Sequence, residues 1–138
     1  MTSSELMIYT DGGARGNPGP AAIGVVVTKS KEETLAEHKA FIGRATNNQA
    51  EYRALIKGLE LAKDYGARKI VSVMDSELVV KQMKGEYRVR NKGLQPLYQK
   101  ARALEQGFDS VTYRHVKREN DKIQIADRLV NEALDEKE

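Results

Sequence analysis

Three apolar runs open the chain, and each has the length of a β-strand. They cover residues 5–11, 23–28 and 34–42, with β-branched side chains concentrated in the second run. A segment rich in glycine and proline, residues 14–20, and a polar one, residues 29–33, separate the runs and favour turns over helix. Connections this short join antiparallel neighbours, so we predict a three-stranded meander.

The pattern then becomes helical, with apolar residues recurring every three or four positions. Residues 46–48 offer N-cap side chains, and the helix is predicted to end near Tyr65, with Gly66 suited to the C-cap. One stripe of this helix is apolar or small: Ala54, Leu55, Gly58, Leu61, Ala62 and Tyr65. Glu51 falls near the middle of that stripe when residues are projected at 100° per residue. A carboxylate there is costly unless it is paired or binds a metal, which makes Glu51 the strongest functional candidate.

Strands and helices alternate in the second half of the chain. The pattern predicts a strand, a short helix capped by Ser76, a loop, a longer helix, a strand and a closing helix, over residues 69–74, 77–83, 85–93, 94–106, 108–115 and 125–134. A strand–helix–strand crossover implies parallel neighbours. The order βββαβααβα therefore predicts an α/β fold, in which a five-stranded mixed sheet (three antiparallel strands, then parallel strands) is flanked by helices.

Three further carboxylates stand at the ends of these elements. Asp11 and Asp75 end apolar strands, and Asp127 stands at the predicted start of the closing helix. Each has an ordinary structural explanation, since aspartate is common in turns, at helix caps and at helix N-termini. If the strands carrying Asp11 and Asp75 are neighbours, however, these carboxylates and Glu51 meet at one end of the sheet. Like charges that close repel one another, and hard divalent cations with oxygen ligands relieve the repulsion.

Composition bounds the class of protein. The length suits a single domain over residues 1–138, and the absence of cysteine excludes disulfides and thiolate metal sites. No apolar stretch predicts a signal segment or a membrane span, so we expect a cytoplasmic protein without membrane contact. The formal net charge is only +3, but cations concentrate beside Tyr87 in one polar connection: Lys81, Lys84, Arg88, Arg90 and Lys92. Such a cluster suits a phosphate-binding surface, and a solvated loop is the alternative.

Four short motifs surround the carboxylates in order along the chain. They are YTDGG with GNPGP at residues 9–13 and 16–20, TNNQAEY at 46–52, Asp75-Ser76, and His115 followed by ADRL at 126–129 with Asn131. Together they resemble the motifs of ribonuclease HI, the type 1 ribonuclease H family, essentially from end to end of the chain. Four motifs in order carry far more weight than any one of them.

The resemblance implies a ribonuclease H-like fold and a magnesium-dependent endonuclease. Such an enzyme cuts the RNA strand of an RNA–DNA hybrid by two-metal-ion catalysis, leaving 5′-phosphate and 3′-hydroxyl ends, and Mn²⁺ can substitute for Mg²⁺. The metal-binding carboxylates would be Asp11, Glu51, Asp75 and Asp127, with two ions when substrate is bound. His115 matches a histidine that assists proton movement and product release.

The resemblance also implies two sets of nucleic-acid contacts. Positions that match contacts to the RNA strand are Asn17, Asn47 and Asn48. Positions that match a pocket for a phosphate of the DNA strand are Arg44, Thr46 and Asn91. The hybrid duplex is the expected partner, and the protein is expected to be a monomer with no obligate protein partner.

Two of the chain's departures from the family pattern bear most on the site. Residues 75–94 form a short connection without tryptophan, where several bacterial relatives carry a long basic protrusion, so weak substrate binding is expected. The segment from His115 to Asp127 is longer than usual and contains Ile123 and Ile125, which either lengthens the loop after His115 or shifts Asp127. Two other functions stay open: a nuclease of the same fold with another duplex preference, such as double-stranded RNA, and a non-catalytic nucleic-acid-binding module.

Overall fold

The computed structural model describes residues 5–29 and 33–137, and five strands form its centre. They are β1 (Glu5–Ala14), β2 (Gly19–Thr28), β3 (Thr34–Ala45), β4 (Lys69–Met74) and β5 (Ser110–His115). The strands lie side by side in the order β3-β2-β1-β4-β5. The pairs β1–β2 and β2–β3 are antiparallel, whereas β1–β4 and β4–β5 are parallel, which confirms the predicted mixed sheet.

Four helices connect or follow these strands. They are α1 (Asn47–Asp64), α2 (Glu77–Met83), α3 (Gln95–Glu105) and α4 (Asp121–Lys137). The order βββαβααβα is the one predicted from the sequence. In the described part of the chain, no helix combines the length and the apolar character needed to cross a membrane.

Alternating side chains of the central strands pack into two hydrophobic layers, one on each face of the sheet. On one face, Leu6, Ile8, Val25 and Val27 pack with α1 residues such as Leu55. The other face packs against α4 through a smaller group: Tyr9, Val26, Val73, Ile123, Ala126 and Leu129. The sheet is therefore buried between α1 and α4, and each of these helices delivers one of the four carboxylates.

The helix α1 begins as predicted, but its buried face is wider than the predicted stripe. Thr46 caps it in a capping box with Gln49, in which each side chain accepts a hydrogen bond from the other residue's backbone N–H. Its buried residues are Ala50, Tyr52, Ala54, Leu55, Ile56, Gly58, Leu59 and Ala62. The face is wide because α1 contacts the sheet and α3 at once. Tyr65, predicted to lie on the buried stripe, is 43% exposed because α1 ends there.

The closing helix starts four residues before its predicted start at residue 125. Asn120 begins it by accepting hydrogen bonds from the backbone N–H groups of Lys122 and Ile123, at 3.0 and 3.1 Å. Ile123 is fully buried, so the apolar residues of this segment belong to the helix and not to a longer loop. The placement of Asp127 at a helix N-terminus is therefore wrong, because it lies in the second turn of α4.

The predicted connection at residues 29–33 lies partly outside the described residues, since residues 30–32 are not among them. At its two ends, the backbone N–H of Lys29 donates to the carbonyl oxygen of Glu33 at 2.9 Å.

Candidate metal centre

Asp11 lies on the central strand, near the end where the sheet meets the loops. It stands in β1 beside Gly24 of β2 and is only 7% exposed. Two glycines follow it within the strand, and a Cβ atom added at Gly12 would lie 2.2 Å from the backbone of Ala50 in α1. The glycine therefore lets the first turn of α1 approach β1 directly.

Glu51 reaches the same place from α1 because of this close approach. The backbone N–H of Gly12 donates to Glu51 Oε1 at 3.1 Å. That bond fixes one oxygen of the carboxylate and leaves the other free for a ligand. The position of Glu51 inside an apolar helix face, which is the strongest signal in the sequence, is thus explained by a site at the helix–strand junction.

Asp75 completes a group of three carboxylates. It follows β4, which is parallel to β1 and adjacent to it, so the strands that carry Asp11 and Asp75 are neighbours. One oxygen each of Asp11, Glu51 and Asp75 can be chosen so that all three lie within 4.8 Å of one another. Oxygen ligands at this separation match the donor set that Mg²⁺ or Mn²⁺ takes in proteins.

Asp127 lies at the same cavity but outside this closest group. The cavity has a volume of about 380 Å³, and its lining includes all four predicted carboxylates. Asp127 reaches it from α4, and its Oδ1 atom lies 3.6 Å from a guanidinium nitrogen of Arg118. The structure therefore brings the four carboxylates together. Three have oxygens within 4.8 Å of one another, and Asp127, beside Arg118, lies within side-chain hydrogen-bonding reach of Asp11.

Burial and mutual repulsion change the ionisation of this group. Burial, followed by the charges of Asp75 and Asp127, raises the pKa of Asp11 to about 8. Burial and the charge of Asp11 raise the pKa of Glu51 well above its ordinary value, and burial also raises the pKa of Asp75. Without a cation, the site therefore holds protons near neutral pH, and a divalent ion would displace them.

Arg118 is a cation that lies beside these groups, and the sequence alone does not identify it. It lines the cavity and lowers the pKa of Asp11, Glu51 and Asp75 by its charge, against the larger effect of burial. It stands in the connection between β5 and α4, the segment noted as longer than usual. That unusual length is the only sequence signal pointing to it.

His115 lies beside the site without joining the carboxylate group. It is the last residue of β5 and stands opposite Met74, the residue before Asp75. Its side chain is exposed, and its charge acts on Asp75. The structure thus places His115 at the same end of the sheet as the carboxylates, next to Asp75.

The predicted RNA-contacting asparagines hold the glycine-rich turn against the start of α1. Asn17 Oδ1 accepts a hydrogen bond from the backbone N–H of Asn47 at 3.0 Å, and Asn47 Oδ1 accepts one from Ala14 at 2.8 Å. Within residues 5–29 and 33–137, the side-chain NH₂ groups of Asn17 and Asn47 have no partner. Asn47 lines the carboxylate cavity, whereas Asn48 is exposed one residue further along.

The three residues predicted to hold a DNA phosphate are brought together only in part. Asn91 Oδ1 accepts hydrogen bonds from the backbone N–H groups of Gly93 and Leu94, at 2.7 and 3.2 Å. A Cβ atom added at Gly93 would lie 3.0 Å from both Asn91 Oδ1 and Gln49 Nε2, so Asn91 adjoins the capping box of Thr46. Arg44 stands near the end of β3, and no side-chain partner is found for it among the described residues.

Comparisons with known proteins agree with this architecture. A family model described as reverse transcriptase-like matches residues 9–133. The N-terminal RNase H domain of a Mycobacterium tuberculosis protein is 47% identical with a TM-score of 0.91, over 96% of this chain and 95% of that one. RNase H1 of the archaeon Halobacterium salinarum is 45% identical with a TM-score of 0.90, over 96% and 98% of the two chains.

A third structure was solved with a nucleic acid. LC11-RNase H1, isolated from compost by a metagenomic approach, was solved in complex with an RNA/DNA hybrid. It is 44% identical with a TM-score of 0.89, over 96% of this chain and 98% of that one.

The curated relatives themselves are longer proteins. The chain spans 36% of the length of the Mycobacterium tuberculosis bifunctional protein and 63% of that of Halobacterium salinarum ribonuclease HI, at 48% and 47% identity. Because the solved RNase H1 structures agree with it over nearly their whole length, in sequence as well as in fold, the chain belongs to the type 1 ribonuclease H family.

Proposed function

We propose that this protein is a divalent-metal-dependent endonuclease that hydrolyses the RNA strand of RNA–DNA hybrids, leaving 5′-phosphate and 3′-hydroxyl ends. The observation that carries the proposal is the approach of Asp11, Glu51 and Asp75 within 4.8 Å, with Asp127 at the same cavity. The substrate is inferred from LC11-RNase H1, which binds an RNA/DNA hybrid in its solved complex. A protein that only bound nucleic acid would gain nothing from carboxylates that repel its phosphates.

The donor set fits a hard divalent cation. All its members are carboxylates, the pKa values of Asp11 and Glu51 are raised by burial and repulsion, and Arg118 supplies the nearby positive charge. We propose Mg²⁺, with Mn²⁺ able to substitute, and two ions when substrate is present. The four carboxylates at the cavity would hold them: Asp11, Glu51, Asp75 and Asp127. Such ions lower the pKa of water and neutralise charge on the phosphate and its leaving oxygen.

The protein's own contribution is to hold these oxygens in position. The bond from the Gly12 N–H orients Glu51, and the buried strand β1 fixes Asp11. Asp127, which lies within side-chain hydrogen-bonding reach of Asp11 beside Arg118, is proposed to complete the ligand set when cations and substrate bind. His115, exposed beside Asp75, would move protons and help release the product.

Selection of RNA would depend on hydrogen bonds to the 2′-hydroxyl, which both donates and accepts. The side-chain oxygens of Asn17 and Asn47 are occupied by backbone N–H groups, so each amide keeps its NH₂ group as a donor for the RNA strand. Asn48 is exposed beside them and is proposed to act on the same strand. Arg44, Thr46 and Asn91 are proposed to receive a phosphate of the DNA strand.

Cleavage of strand-labelled duplexes tests this function. The protein is incubated with an RNA–DNA hybrid, double-stranded RNA and double-stranded DNA of one sequence, with Mg²⁺ or with EDTA. We expect Mg²⁺-dependent cuts in the RNA strand of the hybrid, with ends that a ligase requiring 5′-phosphate can join. Equal cleavage of double-stranded RNA would favour the broader nuclease, and binding without cleavage of any duplex would favour the non-catalytic module.

A further inference from the structure

A second cavity with basic walls lies between β3 and the outer side of α1. It has a volume of about 300 Å³ and shares no lining residue with the carboxylate cavity. Its basic side chains are His38 of β3, Arg53 and Lys57 of α1, and Lys100 of α3, and its one acidic residue is Glu60. Apolar side chains, including those of Ile23 and Ile56, complete the lining. We call this cavity the outer basic pocket.

The cations of the outer basic pocket lack ion-pair partners in the described part of the chain. Within residues 5–29 and 33–137, Arg53, Lys57 and Lys100 take part in no ion pair or side-chain hydrogen bond. The neighbouring Lys39 of β3 is quite different, since its Nζ atom contacts two glutamates of α4 at 3.3 and 2.6 Å. Basic side chains that converge on a cavity without a partner create a local site for an anion.

The imidazole of His38 is a partly buried side chain in the lining of this pocket. It is half-buried, and burial together with the positive charge of Lys57 lowers its pKa. The imidazole is therefore a hydrogen-bonding group held beside cations, and it would sense a negative charge placed among them. Arg53 offers the planar fork that suits phosphate oxygens, while Lys57 and Lys100 act as point charges.

The outer basic pocket lies further along α1 than the proposed phosphate site, which is at the N-terminus of that helix. Arg53 and Lys57 are one helical turn apart, and Lys57 is eleven residues beyond the N-cap Thr46, which corresponds to about 16 Å along the helix axis. For a duplex that follows α1, with one phosphate per strand for each ~3.4 Å of axis, this distance corresponds to about five nucleotides.

We propose that the duplex follows α1 from Thr46 and that the outer basic pocket binds one of its backbone phosphates, about five nucleotides beyond the phosphate held at Thr46. The location of the duplex rests on the proposed function, whereas the anion site itself rests on the cations that lack ion-pair partners among the described residues. The pocket would lengthen the footprint of the enzyme without touching the reacting atoms. It would therefore lower KM for long substrates and leave kcat unchanged.

The two histidines of the chain allow a direct test, because one stands at each site. Imidazole NMR signals of His38 and His115 are followed in the Asp11→Asn variant, which is used so that the nucleic acid stays intact. The ligands are RNA–DNA hybrids of about 8 and about 18 base pairs, and inorganic phosphate. We expect both hybrids to shift His115, and only the longer hybrid to shift His38.

Binding measurements on variants complete the test. Lys57→Ala and Arg53→Ala should each weaken binding of the long hybrid, reduce the slope of log K against log salt by about 0.9, and leave the short hybrid unaffected. Lys63→Ala, which removes the same charge from α1 outside the pocket, is the control and should change neither. Thermal unfolding of each variant shows that the fold is intact.

Each outcome decides for or against the pocket. Unchanged affinity and slope for the long hybrid in both variants, or a shift of His38 by inorganic phosphate but not by the long hybrid, would overturn the proposal. Failure of the proposed function is seen separately, as the absence of cleavage by the unmodified protein. A length-dependent response of His38 in that case would still establish the pocket as a nucleic-acid site.

Discussion

Gly24 of β2 lies directly against Ala126 of α4. A Cβ atom added at Gly24 would lie 2.2 Å from the carbonyl oxygen of Ala126 and 3.0 Å from the Cβ atom of Leu129. Gly24 is also the residue that stands beside Asp11 in the sheet. This contact therefore sets the distance of α4 from the sheet at the point where α4 presents Asp127, the residue after Ala126.

Gly24→Ala should lower kcat/KM even at temperatures where the variant remains folded. The added methyl group must push α4 outward, which costs about 1–3 kcal/mol of unfolding free energy and moves Asp127 away from Asp11. Thermal unfolding and kcat/KM on a hybrid are measured together, below the unfolding temperature. Gly107→Ala is the matched control, because its nearest neighbour would be 3.5 Å away. Full activity of a folded Gly24→Ala variant would show that this contact does not position Asp127.

Asp11→Asn should abolish hydrolysis while leaving the fold intact. The change removes a metal-binding charge from the centre of the carboxylate group at nearly constant volume. Cleavage of a labelled hybrid in Mg²⁺ or Mn²⁺, with circular dichroism as a check on folding, measures the effect. Cleavage near the rate of the unmodified protein would show that Asp11 is not required, and would contradict the assignment of the four carboxylates as metal ligands.

Asp11→Asn should also change how stability depends on pH in EDTA. Because the pKa of Asp11 is raised from 3.8 to about 8, the folded state binds its proton more tightly than the unfolded state does. The resulting stability is fully present below about pH 4 and is lost as the pH rises to about 8. The variant should thus match the unmodified protein in unfolding temperature near the acidic end and exceed it at the alkaline end. A constant difference across this range would contradict the raised pKa.

Much of this site could be predicted from the sequence, for identifiable reasons. Glu51 interrupts an apolar helix face, and Asp11 and Asp75 end apolar strands that a mixed sheet can place side by side, as it does here. The roles of Gly24 and Arg118 could not be predicted in this way. Each depends on where α4 and the loop before it lie in space, and side-chain periodicity carries no information about such long-range approach.

Helix boundaries show the same limit. The sequence pattern places the start of α4 too late because it treats Ile123 and Ile125 only as apolar residues. It does not show that the side chain of Asn120 accepts hydrogen bonds from the first backbone N–H groups of the helix. Periodicity places Tyr65 on the buried face because it continues through a residue at which the helix has already ended. Both errors concern the ends of helices, where local hydrogen bonds determine at which residue the helix begins or stops.

His115→Ala should slow turnover without stopping it. Because His115 stands beside Asp75 and outside the carboxylate group, we expect it to supply only an auxiliary path for protons, worth at most ~10²-fold in rate. Steady-state kcat is compared with single-turnover rates to separate the chemical step from product release. Identical steady-state rates of the variant and the unmodified protein from about pH 6 to 9 would show that His115 does not assist turnover.

Replacing Arg88 and Arg90 together by alanine should raise KM and spare kcat. Both stand in the short connection between α2 and α3, where neither has an ion-pair partner among the described residues. The slope of log K against log salt should become shallower by roughly 0.7–0.9 for each phosphate that the variant no longer neutralises. The double variant Lys63→Ala with Lys69→Ala, which removes equal charge at exposed positions outside this connection, is the control. No shift in the unmodified protein's binding between low and moderate salt would show that the connection is only a solvated loop.

The most direct test of the central claim is a crystal structure of the protein with Mn²⁺, in which anomalous scattering locates the ion. We expect a peak bound by oxygens of Asp11, Glu51 and Asp75, at roughly the 2.0–2.6 Å typical of hard cations. Mg²⁺ should compete for the same position and remove the peak. An enzyme that cleaves hybrids in the same Mn²⁺ solution, yet shows no peak between these three carboxylates, would contradict the proposed metal centre.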